Sequence, residues 1–206
     1  MKLLLSDTYE MRAAQFAEEA NLMQQLASGQ HPQVLYIGCA DSRIVPSRIL
    51  GAKPGDVFVM RNVANIVPPA NSTDCAVGAV IEYAVRHLHI PHIVICGHTL
   101  CGGIQNLHKP HNEAEPFLSR WLDYARPAQD QIPEDVTEER RLDAIIEANV
   151  LLQIAHLRTY PCVREAEATG QLQLHAWVYD FRYGRVRSYD DATGTFVEEL
   201  PASNPS

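Results

Sequence analysis

Three short apolar runs constrain this chain more than any other feature: "VLYIG" at 34–38, "DVFVMRN" at 56–62 and "HIVICGH" at 92–98. They are too short for helices and lack polar alternation, which is how strands buried on both faces read. Amphipathic segments separate them. Residues 8–28 carry helical periodicity, with Asp7 or Thr8 as candidate cap and Gly29 as the stop. After Pro68-Pro69, Ser72, Thr73 or Asp74 can cap a helix carrying Val77, Ile81, Ala84, Val85 and Leu88. A long helix is expected over 137–159. Thr137 caps it, Glu138 and Glu139 suit its positive N-terminus, and Leu142, Ile146, Val150, Ile154 and Leu157 share one face. Residues 117–126 and the stretch from Pro161 to Gly170 read as shorter helices. "LQLHAWVYD" (172–180) is a fourth strand, and "FRYG" turns it into "RVRSYD" (185–190), an antiparallel edge hairpin.

This alternation implies an α/β fold: a mostly parallel central sheet flanked by helices, with an antiparallel edge hairpin near the C-terminus and an N-terminal helical arm. At 206 residues the chain suits one domain, read as an arm over 1–30, an α/β core over 31–190 and a tail over 191–206. Ligands in such sheets lie at the carboxyl ends of strands, where the winding direction reverses. If the strands at 34 and 92 flank that reversal, their ends face one crevice.

Composition removes several function classes. A formal charge of −8 with scattered basic residues argues against nucleic acid and against an anionic membrane surface. A small or neutral substrate suits it better. No apolar run reaches transmembrane length and "MKLLL" is too short for a signal core, so a soluble cytoplasmic protein is expected. Cysteines stand at 39, 75, 96, 101 and 162, an odd count at wide spacing that argues against a disulfide framework. Cys75, Cys96 and Cys162 read as small buried hydrophobes.

Reactive side chains gather at the two strand ends. "GCADSR" places Cys39, Asp41 and Arg43 within five residues; "GHTLCGG" places His98 and Cys101 three apart. Two thiolates and an imidazole suit zinc, and three protein ligands leave a fourth tetrahedral position open for water or substrate. A structural site would close with a fourth ligand, so a catalytic centre is the better reading. Arg43 can fork onto Asp41 and fix its carboxylate beside that position.

"GCADSR" and "GHTLCGG", with "FVMRNVANIVPP" and "IEYAV" between them, resemble the β-class carbonic anhydrases over roughly residues 8–190. The resemblance implies one zinc ion per chain on Cys39, His98 and Cys101, with Asp41 and Arg43 as a gating and proton-handling dyad. It also implies that Gln30, Phe58, Val63, Tyr83 and Gly102 line the substrate pocket. Some of these would reach the site across a dimer interface, in a homodimer or a tetramer of dimers. The implied reaction is reversible hydration of carbon dioxide to bicarbonate and a proton by attack of zinc-bound hydroxide. In three-histidine carbonic anhydrases the bound water's pKa falls from 15.7 to about 7. Two thiolates make the metal less acidifying, so activity should rise toward alkaline pH.

Members of that family with a bicarbonate-controlled switch carry Trp and Gly where this chain has Tyr36 and Gly38. Tyr36, Arg61 and Tyr179 are therefore candidates for a bicarbonate regulatory site, although Tyr for Trp and "IVPP" lean toward a constitutively open centre. Two alternatives stand beside hydration: hydrolysis of carbon disulfide or carbonyl sulfide on the same zinc, and a non-catalytic zinc-binding subunit.

Overall fold

The computed structural model describes residues 8–198, so the candidate cap Asp7 lies outside the described residues. In chain order the elements are α1 (Tyr9–Leu26), β1 (Val34–Cys39), α2 (Pro46–Leu50), β2 (Val57–Asn62), α3 (Cys75–Glu82), β3 (His92–His98) and α4 (Gly102–Gln105). Then follow α5 (Pro116–Leu122), α6 (Glu138–Leu157), α7 (Pro161–Ala168), β4 (Gln173–Asp180), β5 (Arg185–Asp190) and β6 (Thr195–Glu198). Among the described residues no helix is long and apolar enough to cross a membrane.

The strands form one sheet in the order β2-β1-β3-β4-β5-β6. The first four are mutually parallel; β4–β5 and β5–β6 are antiparallel. From β1 the chain goes to one neighbour, β2, and then crosses to the other, β3. The winding therefore reverses at the β1/β3 boundary, where both reactive motifs lie.

The main core occupies one face of the sheet. Leu35 and Ile37 of β1, Ile93 and Ile95 of β3, and Ala176 and Val178 of β4 meet Val77 and Ile81 of α3 and Ile146, Val150 and Leu157 of α6. The alternate residues Tyr36, Val94 and Cys96 form a smaller cluster on the other face with Trp177, Tyr179 and Leu50 of α2. Period-two alternation in β4 separates the two sets.

Several local expectations change. The helix over 75–88 ends at Glu82 and widens into a π turn, Tyr83–His87, with the Leu88 N–H bonding the Tyr83 carbonyl at 3.0 Å. Residues 117–126 divide into α5 and a separate 3₁₀ turn, Arg126–Gln131, entered through Pro127. Asp74 and Thr137 occupy N-cap positions without capping hydrogen bonds from their side chains; Asp74 instead accepts the Tyr124 hydroxyl at 2.7 Å. The hairpin is not the sheet's edge. After a turn closed by Gly194 (φ 69°), Thr195–Glu198 within the stretch read as a tail pairs with β5 as one more antiparallel strand. "TFVE" is too short to stand out as a strand.

Candidate metal centre

Cys39 is the last residue of β1, His98 the last of β3, and Cys101 directly precedes α4. All three are buried, and one ligand atom from each lies within 4.8 Å of the others. The sulfurs stand 3.9 Å apart, far beyond a disulfide. Two zinc–sulfur bonds of about 2.3 Å at a tetrahedral angle would set them about 3.8 Å apart. The His98 Nδ1 lies 2.9 Å from the Thr99 carbonyl, which can only accept, so Nδ1 carries the proton. That leaves Nε2 as a lone pair, buried and without a hydrogen-bond partner. An orphaned acceptor beside two thiols is the arrangement a metal ligand needs, and the backbone bond on the opposite nitrogen fixes its tautomer.

The thiols are electrostatically unequal. A hydrogen bond from Cys101 holds Cys39 well below the usual thiol range, despite its burial. The same hydrogen bond, with burial and then the Cys39 charge, pushes Cys101 far up. The pair thus takes one negative charge readily and resists a second, which a dication would relieve. These residues fit a zinc-type ion.

Asp41 follows Cys39 by two residues. The Arg43 Nε donates to Oδ1 at 2.9 Å and Nη2 to Oδ2 at 2.7 Å, while the Arg43 backbone N–H bonds Oδ1 at 3.0 Å. This fork holds the carboxyl well below the ordinary carboxylate range. Oδ2 stops 3.9 Å from the His98 Nε2, close to the cluster but not bonded to it. Arg43 Nη2 also reaches the carbonyl of Leu100, a residue held at φ 54° between His98 and Cys101. That left-handed conformation is uncommon outside glycine and turns the "HTLC" loop toward Arg43.

Further supports were invisible in the apolar pattern. Beside Ile146, Val150 and Ile154 on α6, Asn149 and Gln153 are also buried. Asn149 donates to the Ala64 carbonyl at 3.1 Å and Gln153 accepts the Val67 N–H at 2.9 Å. They pin the 62–67 loop, in which Ala64 and Asn65 adopt positive φ. A Cβ on Gly103 would come within 2.9 Å of the Ala64 Cβ, so that glycine permits the loop's close approach to α4.

The structure distributes the remaining candidates unevenly. Phe58 and Tyr83 pack ring to ring at 5.9 Å, with Tyr83 and Val63 partly open to solvent on the β2 side. Gly102 has open space where a side chain would stand, beside Cys101. Gln30 is exposed in the loop before β1 and makes no hydrogen bond to the cluster. Arg61 donates to the backbone carbonyls of Cys39 (2.9 Å) and Asp41 (2.6 Å), so it braces the ligand loop. The Tyr36 ring lies across Gly38, where a Cβ would fall 2.3 Å from the ring, and its hydroxyl is buried without a partner. Tyr179 packs on the same small cluster. A surface hollow of about 1110 Å³ over Leu174, Trp177 and Tyr189 includes none of the metal-cluster residues.

The family model described as "Carbonic anhydrase" matches residues 34–186. A carbonic anhydrase of Pseudomonas aeruginosa is 40% identical over 185 residues, covering 88% of this chain and 84% of the relative. The structure of the β-carbonic anhydrase CcaA superposes with a TM-score of 0.91 at 33% identity, covering 98% of this chain and 93% of that one. One of two tetrameric β-carbonic anhydrases from Sordaria macrospora gives a TM-score of 0.79 at 36% identity, covering 94% and 96%. With fold, ligand cluster and near full-length similarity in agreement, this chain belongs to the β-class carbonic anhydrases.

Proposed function

We propose that this enzyme catalyses the reversible hydration of carbon dioxide to bicarbonate and a proton, using one zinc ion per chain held by Cys39, His98 and Cys101. The observation that carries this reading is the unpartnered Nε2 of His98, aimed at two thiols and bordered by the Asp41 carboxylate. Cys39, His98 and Cys101 would hold the zinc, which when bound would supply a hydroxide nucleophile close to neutral pH. Arg43 would hold the ionised Asp41 in its fork beside the ligand cluster, and Oδ2 would accept a hydrogen bond that orients the nucleophile and relays the released proton outward. Arg61 Nε and Nη2 donate to the Cys39 and Asp41 carbonyls, a brace on the ligand loop that supports reading the centre as constitutively open.

Phe58, Val63 and Tyr83 form the apolar side of the carbon dioxide slot, with Gln30 and Gly102 as its polar contacts. A second copy completes it. Helix α1 has no buried residue and exposes Met11 and Phe16, which supports an arm laid on a partner in a homodimer or a tetramer of dimers. The expected location is the cytoplasm.

Zinc content and stopped-flow carbon dioxide hydration, measured from about pH 6.5 to 9, test this reading. The parent should hold one zinc per chain and gain activity toward alkaline pH, and Cys101→Ser should lose most of both. Full zinc retention with normal activity in Cys101→Ser would overturn the ligand assignment. A zinc-loaded parent that hydrates no carbon dioxide would overturn the activity.

A further inference from the structure

A second acid–arginine clamp lies beside the first. At the end of β4, the Asp180 carboxylate accepts the Arg182 backbone N–H at 3.0 Å, Nε at 3.0 Å on Oδ1 and Nη2 at 2.8 Å on Oδ2. Atom for atom this repeats the bonding of Asp41 with Arg43. Asp180 Oδ1 also accepts the Thr99 hydroxyl at 3.3 Å, and the Thr99 N–H bonds the Tyr179 carbonyl at 3.1 Å. The turn after β4 is thereby fastened to the residue that follows His98.

The middle residue of this clamp is Phe181. Its ring is directed at the centre: the Arg43 guanidinium carbon lies 4.3 Å from the ring centroid, and the His98 ring 6.3 Å from it at 50°. The edges of the guanidinium are occupied by Asp41 and by the Leu100 carbonyl. Phe181 presents its ring to the central carbon of the same group. Arg43 is 45% exposed, and exposed ion pairs exchange readily with water unless their geometry is fixed by other contacts. An aromatic ring beneath the guanidinium carbon supplies such a contact through cation–π attraction.

We propose that Phe181 is a positioning residue for Arg43, held in place by the Asp180–Arg182 clamp, so that Asp41 stays fixed beside the metal position during turnover. This rests on the reading of Asp41 and Arg43 as working groups in hydration. Phe181 touches neither substrate nor metal in this account; it acts through Arg43.

Phe181→Ala, Phe181→Leu and Phe181→Tyr, together with Arg43→Ala and the double variant Arg43→Ala/Phe181→Ala, separate the two ideas. Each is assayed for zinc content and for hydration kcat and KM. Phe181→Ala should keep its zinc and KM while kcat falls about two- to fivefold, the size of an exposed cation–π contact. Phe181→Tyr should restore the rate, Phe181→Leu should not, and the Phe181 change should cost nothing further once Arg43 is absent. A parental rate in either Phe181→Ala or Phe181→Leu, or a loss that persists undiminished in the Arg43→Ala background, overturns the proposal. A parental rate in Arg43→Ala itself overturns the underlying dyad instead.

Discussion

The segments Asp41-Ser42-Arg43 and Asp180-Phe181-Arg182 share one hydrogen-bond pattern and stand in different company. Asp41 follows the end of β1 and Asp180 closes β4; each aspartate accepts the backbone N–H two residues on, and each arginine forks onto that aspartate. The clamp is therefore a local property of an Asp-x-Arg turn. What differs is the third party. Asp41 ends 3.9 Å from His98 Nε2, whereas Asp180 meets the Thr99 hydroxyl. A short motif fixes a geometry; the strand it follows decides whether that geometry meets chemistry.

Removing each arginine tests that division. Arg43→Ala should retain zinc and lose on the order of 10- to 100-fold in hydration rate, the range for groups that orient a metal site. Metal analysis beside stopped-flow rates checks it, and equal losses for Arg43→Ala and Arg182→Ala would erase the contrast. Arg182→Ala should lower kcat no more than Phe181→Ala does, about two- to fivefold, because it acts only by loosening that ring.

The smallest effect is where the clamps should agree. Arginine holds both carboxyls below their usual range. A depressed folded-state pKa contributes stability that is fully present above the unfolded value near 3.9 and is lost as pH falls through the folded one. Both arginine variants should therefore melt slightly below the parent, by at most about 2 °C above pH 5, since the arginines are 45% and 43% exposed. The difference should shrink under strongly acid conditions as the carboxyls protonate. Thermal melts at a series of pH values check this; a gap that widens with acid would reverse the assigned sign.

The parallel half of the sheet was legible because continuous apolar runs have few other uses. Cys39, His98 and Cys101 stood out for a related reason: reactive side chains at strand ends serve folding poorly. Less was readable where polar groups are buried for geometry. Asn149 and Gln153 interrupt an apolar face without breaking its period, and their partners are backbone atoms about 85 residues away. The second clamp is not legible because "YDFRYG" has the composition of an ordinary turn, and Phe181 gains its meaning only when β3 and β4 pair. The β6 strand was lost to its length, and the division of 75–88 to a π turn that leaves the apolar period nearly unchanged.

The Tyr36 ring lying over Gly38 bears on how this part of the chain can vary through descent. With 2.3 Å between a hypothetical Cβ and the ring, positions 36 and 38 are one heritable unit: a side chain at 38 requires a smaller neighbour at 36, or the strand must bend. Covariation between these sites across descendants would record that steric bargain. In this chain Gly38 therefore reports the size of the ring two residues earlier.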